Sequence, residues 1–202
     1  MGSQLRPAFV LLVALHVLTG VVYPLAVTGV AQVAWPGKAN GSIVRVAGRA
    51  RGSRLIGQPF SAPGYFWGRP SATSPVPYDA SASSGSNLGP TNPALLDLVR
   101  ARIAALRAAD PLLTGPVPVD LVTASASGLD PDISVAAALV QVARVARARG
   151  VSEASVRVLV ESHVVEPMLG LLGEPRVNVL LLNLALDATA TAGGGGVRTP
   201  GV

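Results

Sequence analysis

Residues 83–93 read SSGSNLGPTNP, a crowd of hydroxyls and amides with no charge. A serine there becomes a nucleophile only with a base beside it. The chain offers few. Lys38 is the single lysine, next to a long apolar segment, and His163 is the only histidine outside that segment. A Ser-His-Asp arrangement would therefore depend on His163 alone. That residue falls at helical spacing from Leu159 and Val160, the position of a half-buried core histidine. No G-x-S-x-G elbow is present. Cysteine is absent, so thiolate metal sites have no ligands. Asp130 and Asp132 offer a carboxylate pair for calcium or magnesium, but a helix start at "LDPDIS" accounts for both. Without a lysine to complete it, no GxxxxGK[ST] phosphate loop exists. The residues of SSGSNLGPTNP thus read as a recognition surface and a helix start, not as a nucleophile.

Composition narrows the classes further. Of 202 residues, 50% are hydrophobic and 13% charged, too apolar for a disordered chain. The net charge of +5 rests on arginine, and the basic residues are scattered. Aromatics make up 4% of the chain, too few to stack bases, so nucleic-acid binding is not expected.

From Pro7 to Pro36 no residue is charged. About 20 apolar residues cross a bilayer core, so a transmembrane helix is expected over 8–35, after an N-terminal tail at 1–7. A cleaved signal peptide has an apolar region of about 7–15 residues. This one is far longer, and "GVA" at 29–31 is a poor cleavage site. Pro24 should kink the helix if it lies within the span, and His16 inside it should hydrogen-bond a neighbouring helix. Lys38, Arg45, Arg49, Arg51 and Arg54 follow the segment against Arg6 before it, which by the positive-inside rule places the main domain in the cytoplasm.

The elements after the anchor fit a small α+β domain. Residues 43–60 read as one or two short strands turning near Gly48 to Gly52. Residues 61–93 form a long Pro, Ser, Gly and Asn-rich loop in which Tyr65, Phe66 and Trp67 should pack onto something. Asn92-Pro93 caps a helix whose stripe is Leu95, Leu96, Val99, Ile103 and Leu106, with Arg100, Arg102 and Arg107 off it. "VPVDLVT" (117–123) reads as extended. Asp130 and Pro131 should begin a second helix ending at Gly150, and Ser152 should cap a third. "GEPRVNVLLLNLALDA" is strongly apolar and fits a buried strand leading into a helical turn, though periodicity does not separate strand from helix there; residues 189–202 read as a flexible tail.

Several of these stretches, in order, resemble the KdpC family, the C subunit of the Kdp potassium-transporting P-type ATPase. They are GSRLIGQPF (52–60), YFWGRPSA (65–72), SSGSNLGPTNP (83–93), VPVDLVTASASGLDPDIS (117–134), QVARVARARG (141–150) and LGEPRVNVLLLNLALD (172–187). The resemblance implies a KdpC-like domain over 36–188, without catalytic residues of its own. Its partners would be a channel-like potassium-binding subunit, the catalytic P-type ATPase subunit and a small single-helix peptide, alongside membrane lipid. The transported ion of that complex is potassium. The resemblance also implies that the domain lies outside the cytoplasm, over the channel-like subunit's entrance, against the charge count. It further implies a role in ATP binding, by likeness to the ABC-transporter signature. The matching positions are Ser125, Ser127, Gly128 and Gln141. With Gln141 twelve residues beyond Leu129, it should lie about three helical turns from that loop, as a surface helix residue.

Overall fold

A computed structural model describes residues 2–193. The chain divides into two compact units, Met1–Ser53 and Arg54–Val202.

The first unit is dominated by helix. α1 spans Gly2–Val17, one π turn follows at Leu18–Val22, and α2 spans Tyr23–Ala34. The helix therefore begins well before residue 8, and residues 2–7, expected in the tail, are helical. The apolar span Ser3–Ala34 holds 32 residues, about 48 Å of helix, enough to cross a hydrocarbon core of about 30 Å with a margin. Leu11, Leu12, Leu15, Leu18 and Leu25 are each more than half exposed. A helix apolar on every face with nothing covering it has the character of a membrane span. The π turn lies just ahead of Pro24. Proline has no N–H and its ring crowds the carbonyl four residues back; here Tyr23 N–H reaches five residues back to Leu18 C=O. His16, expected to reach a neighbouring helix, bonds its own, Nδ1 donating to Leu12 C=O at 2.8 Å. A short helix, α3 (Pro36–Ala39), leads to an antiparallel hairpin of β1 (Ile43–Val46) and β2 (Arg49–Ser53). Ala47 and Gly48 turn it with φ of 50° and 77°. The hairpin belongs to the anchor's unit, so the compact second unit starts at Arg54.

The second unit packs helices on a three-stranded antiparallel sheet of order β3–β5–β4: β3 is Asp132–Ser134, β4 Val164–Val165 and β5 Arg176–Asn178. Val177 on the central strand pairs Ile133 on one side and Val164 on the other. The helices are α4 (Pro93–Ala109), α5 (Val135–Leu139), α6 (Val142–Arg149), α7 (Glu153–Ser162) and α8 (Val179–Gly193). The core gathers Phe66, Leu121, Val145, Val160, Val177 and Leu182, all at 0% exposure. Each contributes about 1.5–3 kcal/mol by leaving water.

Local signals set most boundaries. Asn92 Oδ1 accepts from Ala94 N–H and Pro93 opens α4. Gly150, at φ 67°, ends α6 in a left-handed cap. Ser152 Oγ accepts from Ser155 N–H and opens α7.

Two expectations for residues 117–134 are overturned here. The helix does not begin at Asp130-Pro131. Residues 132–134 pair with β5 first, and Ser134 is the cap, its Oγ accepting from Ala137 N–H. Val117–Thr123 is not extended, since Val119–Leu121 forms a 3-10 turn. At the other end Thr189–Gly193, expected in the tail, continue α8, and residues 194–202 lie outside the described residues.

Candidate functional site

The long loop between β2 and α4 holds one 3-10 turn, Ala80–Ala82, and most of its backbone N–H and C=O groups need partners elsewhere. They find them one residue at a time. Arg144 and Arg149 donate to the carbonyls of Pro63 and Gly64. Phe66 N–H donates to Asn183 Oδ1 at 2.8 Å, and Asn183 Nδ2 donates back to Phe66 C=O at 3.0 Å. Trp67 is held the same way by Gln141, Trp67 N–H to Oε1 at 2.8 Å and Nε2 to Trp67 C=O at 3.1 Å. Arg102 Nη2 takes Gly68 C=O at 3.1 Å. Two side-chain amides therefore pair with consecutive residues as neighbouring strands would.

The Trp67 ring sits between two arginines. The guanidinium carbons of Arg102 and Arg144 lie 5.3 and 4.9 Å from the Trp67 ring centroid, within cation–π reach. Burial pushes the Arg144 guanidinium down to about 10, with the neighbouring charges of Arg102 and Arg147 adding to the effect and Asp110 opposing it. Arg102 is lowered by burial as well. It was expected off the apolar stripe of α4, yet it turns inward to Trp67 and the carbonyl of Leu121.

The loop next meets the serine-rich stretch. Arg69 pairs with Asp130 at 3.1 Å and donates to Ala124 C=O at 3.3 Å. Ser71 Oγ donates to Gly128 C=O at 2.7 Å, and Ser84 N–H donates to Ser127 C=O at 3.0 Å. Gly128 has φ 68°, and a Cβ there would stand 2.5 Å from Ser84 O. Only glycine allows the two loops this close.

The four candidate positions separate accordingly. Ser125, Ser127 and Gly128 form one turn, with Gly128 N–H donating to Ser125 Oγ at 2.9 Å and Leu129 N–H to Ser127 Oγ at 3.2 Å. Ser125 and Ser127 line a shallow cleft of about 580 Å³ with Arg69 and Asp130. Gln141 does not line it. It is 3% exposed, where a surface position was expected, and its Nε2 also donates to Ala137 C=O at 3.0 Å while its Oε1 accepts from Arg144 at 2.6 Å. Its carboxamide is fully occupied. The Asp130 carboxylate on the cleft's rim would repel a phosphate.

Neither carboxylate of the Asp130 and Asp132 pair is free for a cation. Asp130 is held by Arg69 and by Asp132 N–H. Asp132 pairs with Arg176 at 2.9 Å and accepts from Asn178 at 2.9 Å. Among the described residues no group of three His, Asp or Glu is arranged to hold a metal. His163 caps α7, its Nδ1 donating to Leu159 C=O at 2.9 Å.

Sequence reasoning missed Asn183, Arg102 and Arg144. For Asn183 a signal existed: it is the lone polar residue in the apolar run LLLNLAL, the pattern of a buried, hydrogen-bonded amide.

An apolar N-terminal helix followed by a small α/β domain fits a membrane-associated subunit. Comparison with known proteins specifies it. The family described as "KdpC: K+-transporting ATPase, c chain" matches residues 5–188. A potassium-transporting ATPase KdpC subunit of Sorangium cellulosum is 67% identical over 187 residues, 93% of this chain and 98% of that protein. Those of Variovorax paradoxus and Herpetosiphon aurantiacus are 64% and 63% identical, over 95% and 93% of this chain and 100% and 97% of theirs. The chain belongs to the KdpC family.

Proposed function

We propose that this chain anchors and stabilises an ATP-driven potassium uptake complex, holding its α/β domain outside the cytoplasm against the channel-like, potassium-binding subunit. The catalytic P-type subunit and the small single-helix peptide complete the assembly. The observation that carries the reading is the family match over residues 5–188, which includes both the apolar helix and the folded domain. The domain's construction supports it. A loop pinned by amides and arginines along its length is a rigid surface, and rigidity lowers the entropy cost of docking. Arg45, Arg49 and Arg51 follow the helix, so this orientation runs against the flanking charge and depends on assembly to hold it.

Omitting the chain from the reconstituted complex should abolish potassium-stimulated ATP hydrolysis. Full activity without it would refute the role. Protease added to intact cells should clip the domain, and a spared domain would refute the sidedness.

A nucleotide-binding role through Ser125, Ser127, Gly128 and Gln141 is the second reading. It has the cleft beside the two serines in its favour. Against it, the carboxamide of Gln141 is already used by Trp67, Ala137 and Arg144. Ser127→Ala separates the two: a raised KM for ATP in an intact complex supports nucleotide binding, and an unchanged KM leaves the serines with the loop alone.

A further inference from the structure

Between β4 and β5 the chain turns at PMLGLLG (167–173). Met168 and Leu172 exchange backbone hydrogen bonds, both 3.0 Å, as an isolated antiparallel bridge. Leu169 and Gly170 make the corner with φ of 57° and 71°, closed by Leu171 N–H on Met168 C=O at 3.2 Å. Two positive φ values in succession define a type I′ turn, which favours Asn-Gly. The side chains stand in solvent: Met168 is 64% exposed, Leu169 and Leu171 85%, Leu172 58%.

Leu169 is the informative residue. The left-handed conformation is unfavourable for leucine, where asparagine or glycine would be at ease. Its side chain also gains nothing by burial. The fold explains neither feature, and a contiguous exposed apolar tip marks a contact with something else.

Charge decides what that is. Glu166 and Glu174 flank the turn, and with Glu161 they line one cleft beside it. Between Val164 and Pro175 there is no lysine, arginine, tryptophan or tyrosine. Elements that dip into a bilayer surface use basic residues and interfacial aromatics, and are drawn to anionic lipid. This tip would be repelled. An apolar knob flanked by Glu166 and Glu174, with Arg176 at its base already paired to Asp132, matches a protein pocket with an apolar floor and a basic rim.

We infer that the Met168–Leu172 turn is a docking knob that seats in an apolar, basic-rimmed pocket on another protein subunit of the potassium uptake assembly. The inference rests on the reading of this chain as a subunit of that assembly.

The test uses the full-length chain in the purified complex. Leu169→Gly relieves the corner, so the detergent-solubilised chain should melt no lower than wild type. The double variant Leu169→Gly with Leu171→Asp should lower recovery of the other subunits through a tag on this chain by about tenfold. A benzophenone amino acid in place of Leu169 should crosslink to a protein subunit of the complex. A crosslink to lipid or to a second copy of this chain, or none at all, would overturn the knob. So would wild-type recovery by the double variant. If the wild-type chain recovers no subunit, the parent reading falls too; if it does and the variant matches it, only the knob falls.

Discussion

Gln141 and Trp67, 74 residues apart, make two hydrogen bonds that mimic strand pairing: Trp67 N–H to Oε1 at 2.8 Å and Nε2 to Trp67 C=O at 3.1 Å. Asn183 repeats the arrangement on Phe66 from a different helix. Because Gln141 at the start of α6 and Asn183 of α8 each supply one amide, the dipeptide fixes how both helices sit against a loop that has no ladder of its own. The same two bonds tie the Gln141 carboxamide into the framework that holds the loop.

Replacing Gln141 by alanine should therefore act on stability. It strands a buried N–H and C=O on Trp67 and removes an acceptor from Arg144. Unsatisfied buried groups cost about 1–3 kcal/mol each, so a loss of about 3 kcal/mol is expected. At about 2–4 °C per kcal/mol for a chain of this size, the melting midpoint should fall by about 6–12 °C. Asn183→Ala should cost a similar amount. Thermal melts of the solubilised chain check both, and a midpoint within 2 °C of wild type (about 1 kcal/mol) would contradict the framework role.

What the sequence made legible was local. Asn92-Pro93, Gly150 and Ser152 mark helix ends because caps act within four residues. The second helix was misplaced because residues 132–134 pair with β5, although Asp130 makes the local bond of a cap, accepting from Asp132 N–H. That leaves Ser134 to cap after a three-residue strand. The amide pins and the burial of Arg102 and Arg144 depend on where Trp67 lies in three dimensions, and no periodicity records that. The candidate serines form a turn that leads into β3. Gln141, expected at the surface, is buried, since counting residues along a helix says nothing about which face is covered.

Alkaline unfolding should report on Tyr78. Burial raises its phenol above the ordinary value of 10.0, with Asp130 adding to the rise and Arg102 and Arg69 opposing it. The folded state thus keeps its proton after the unfolded chain has lost its own. By linkage, this contribution to stability is intact below pH 10 and is lost as pH rises from there through the folded value. Tyr78→Phe should cost about 1 kcal/mol at neutral pH, through the lost bond to Arg69 C=O. It should also flatten the fall in stability above pH 10. Urea titrations at pH 8 and pH 11 separate the two effects, and parallel losses in both proteins would refute the assignment.

Gly128→Ala tests the junction between the two polar loops. The new methyl would stand 2.5 Å from Ser84 O and 2.8 Å from Thr73 Cγ2, on a backbone with φ 68°. Overpacking and the left-handed penalty together should cost about 2–4 kcal/mol. Limited proteolysis should then cut faster within residues 81–90. An unchanged digestion rate would mean that the loops are held by other contacts.

Two ion pairs allow a comparison in which burial is the variable. Asp110 closes α4 with 4% exposure, pairs with Arg147 of α6 and accepts from Leu112 N–H at 3.2 Å. Asp97 pairs with Arg100 at 3.3 Å, with both side chains 74% exposed. Water screens the second pair, so Asp97→Ala should change stability by less than about 0.5 kcal/mol. Asp110→Ala leaves the Leu112 N–H without its partner and breaks a tie between two helices. Arg147 is 42% exposed and can be rehydrated, which limits the loss to about 1–2 kcal/mol. Asp110→Asn, which keeps an acceptor for Leu112, should fall between these. If denaturant midpoints showed the two alanine variants equal, burial would not be what gives the α4–α6 pair its strength.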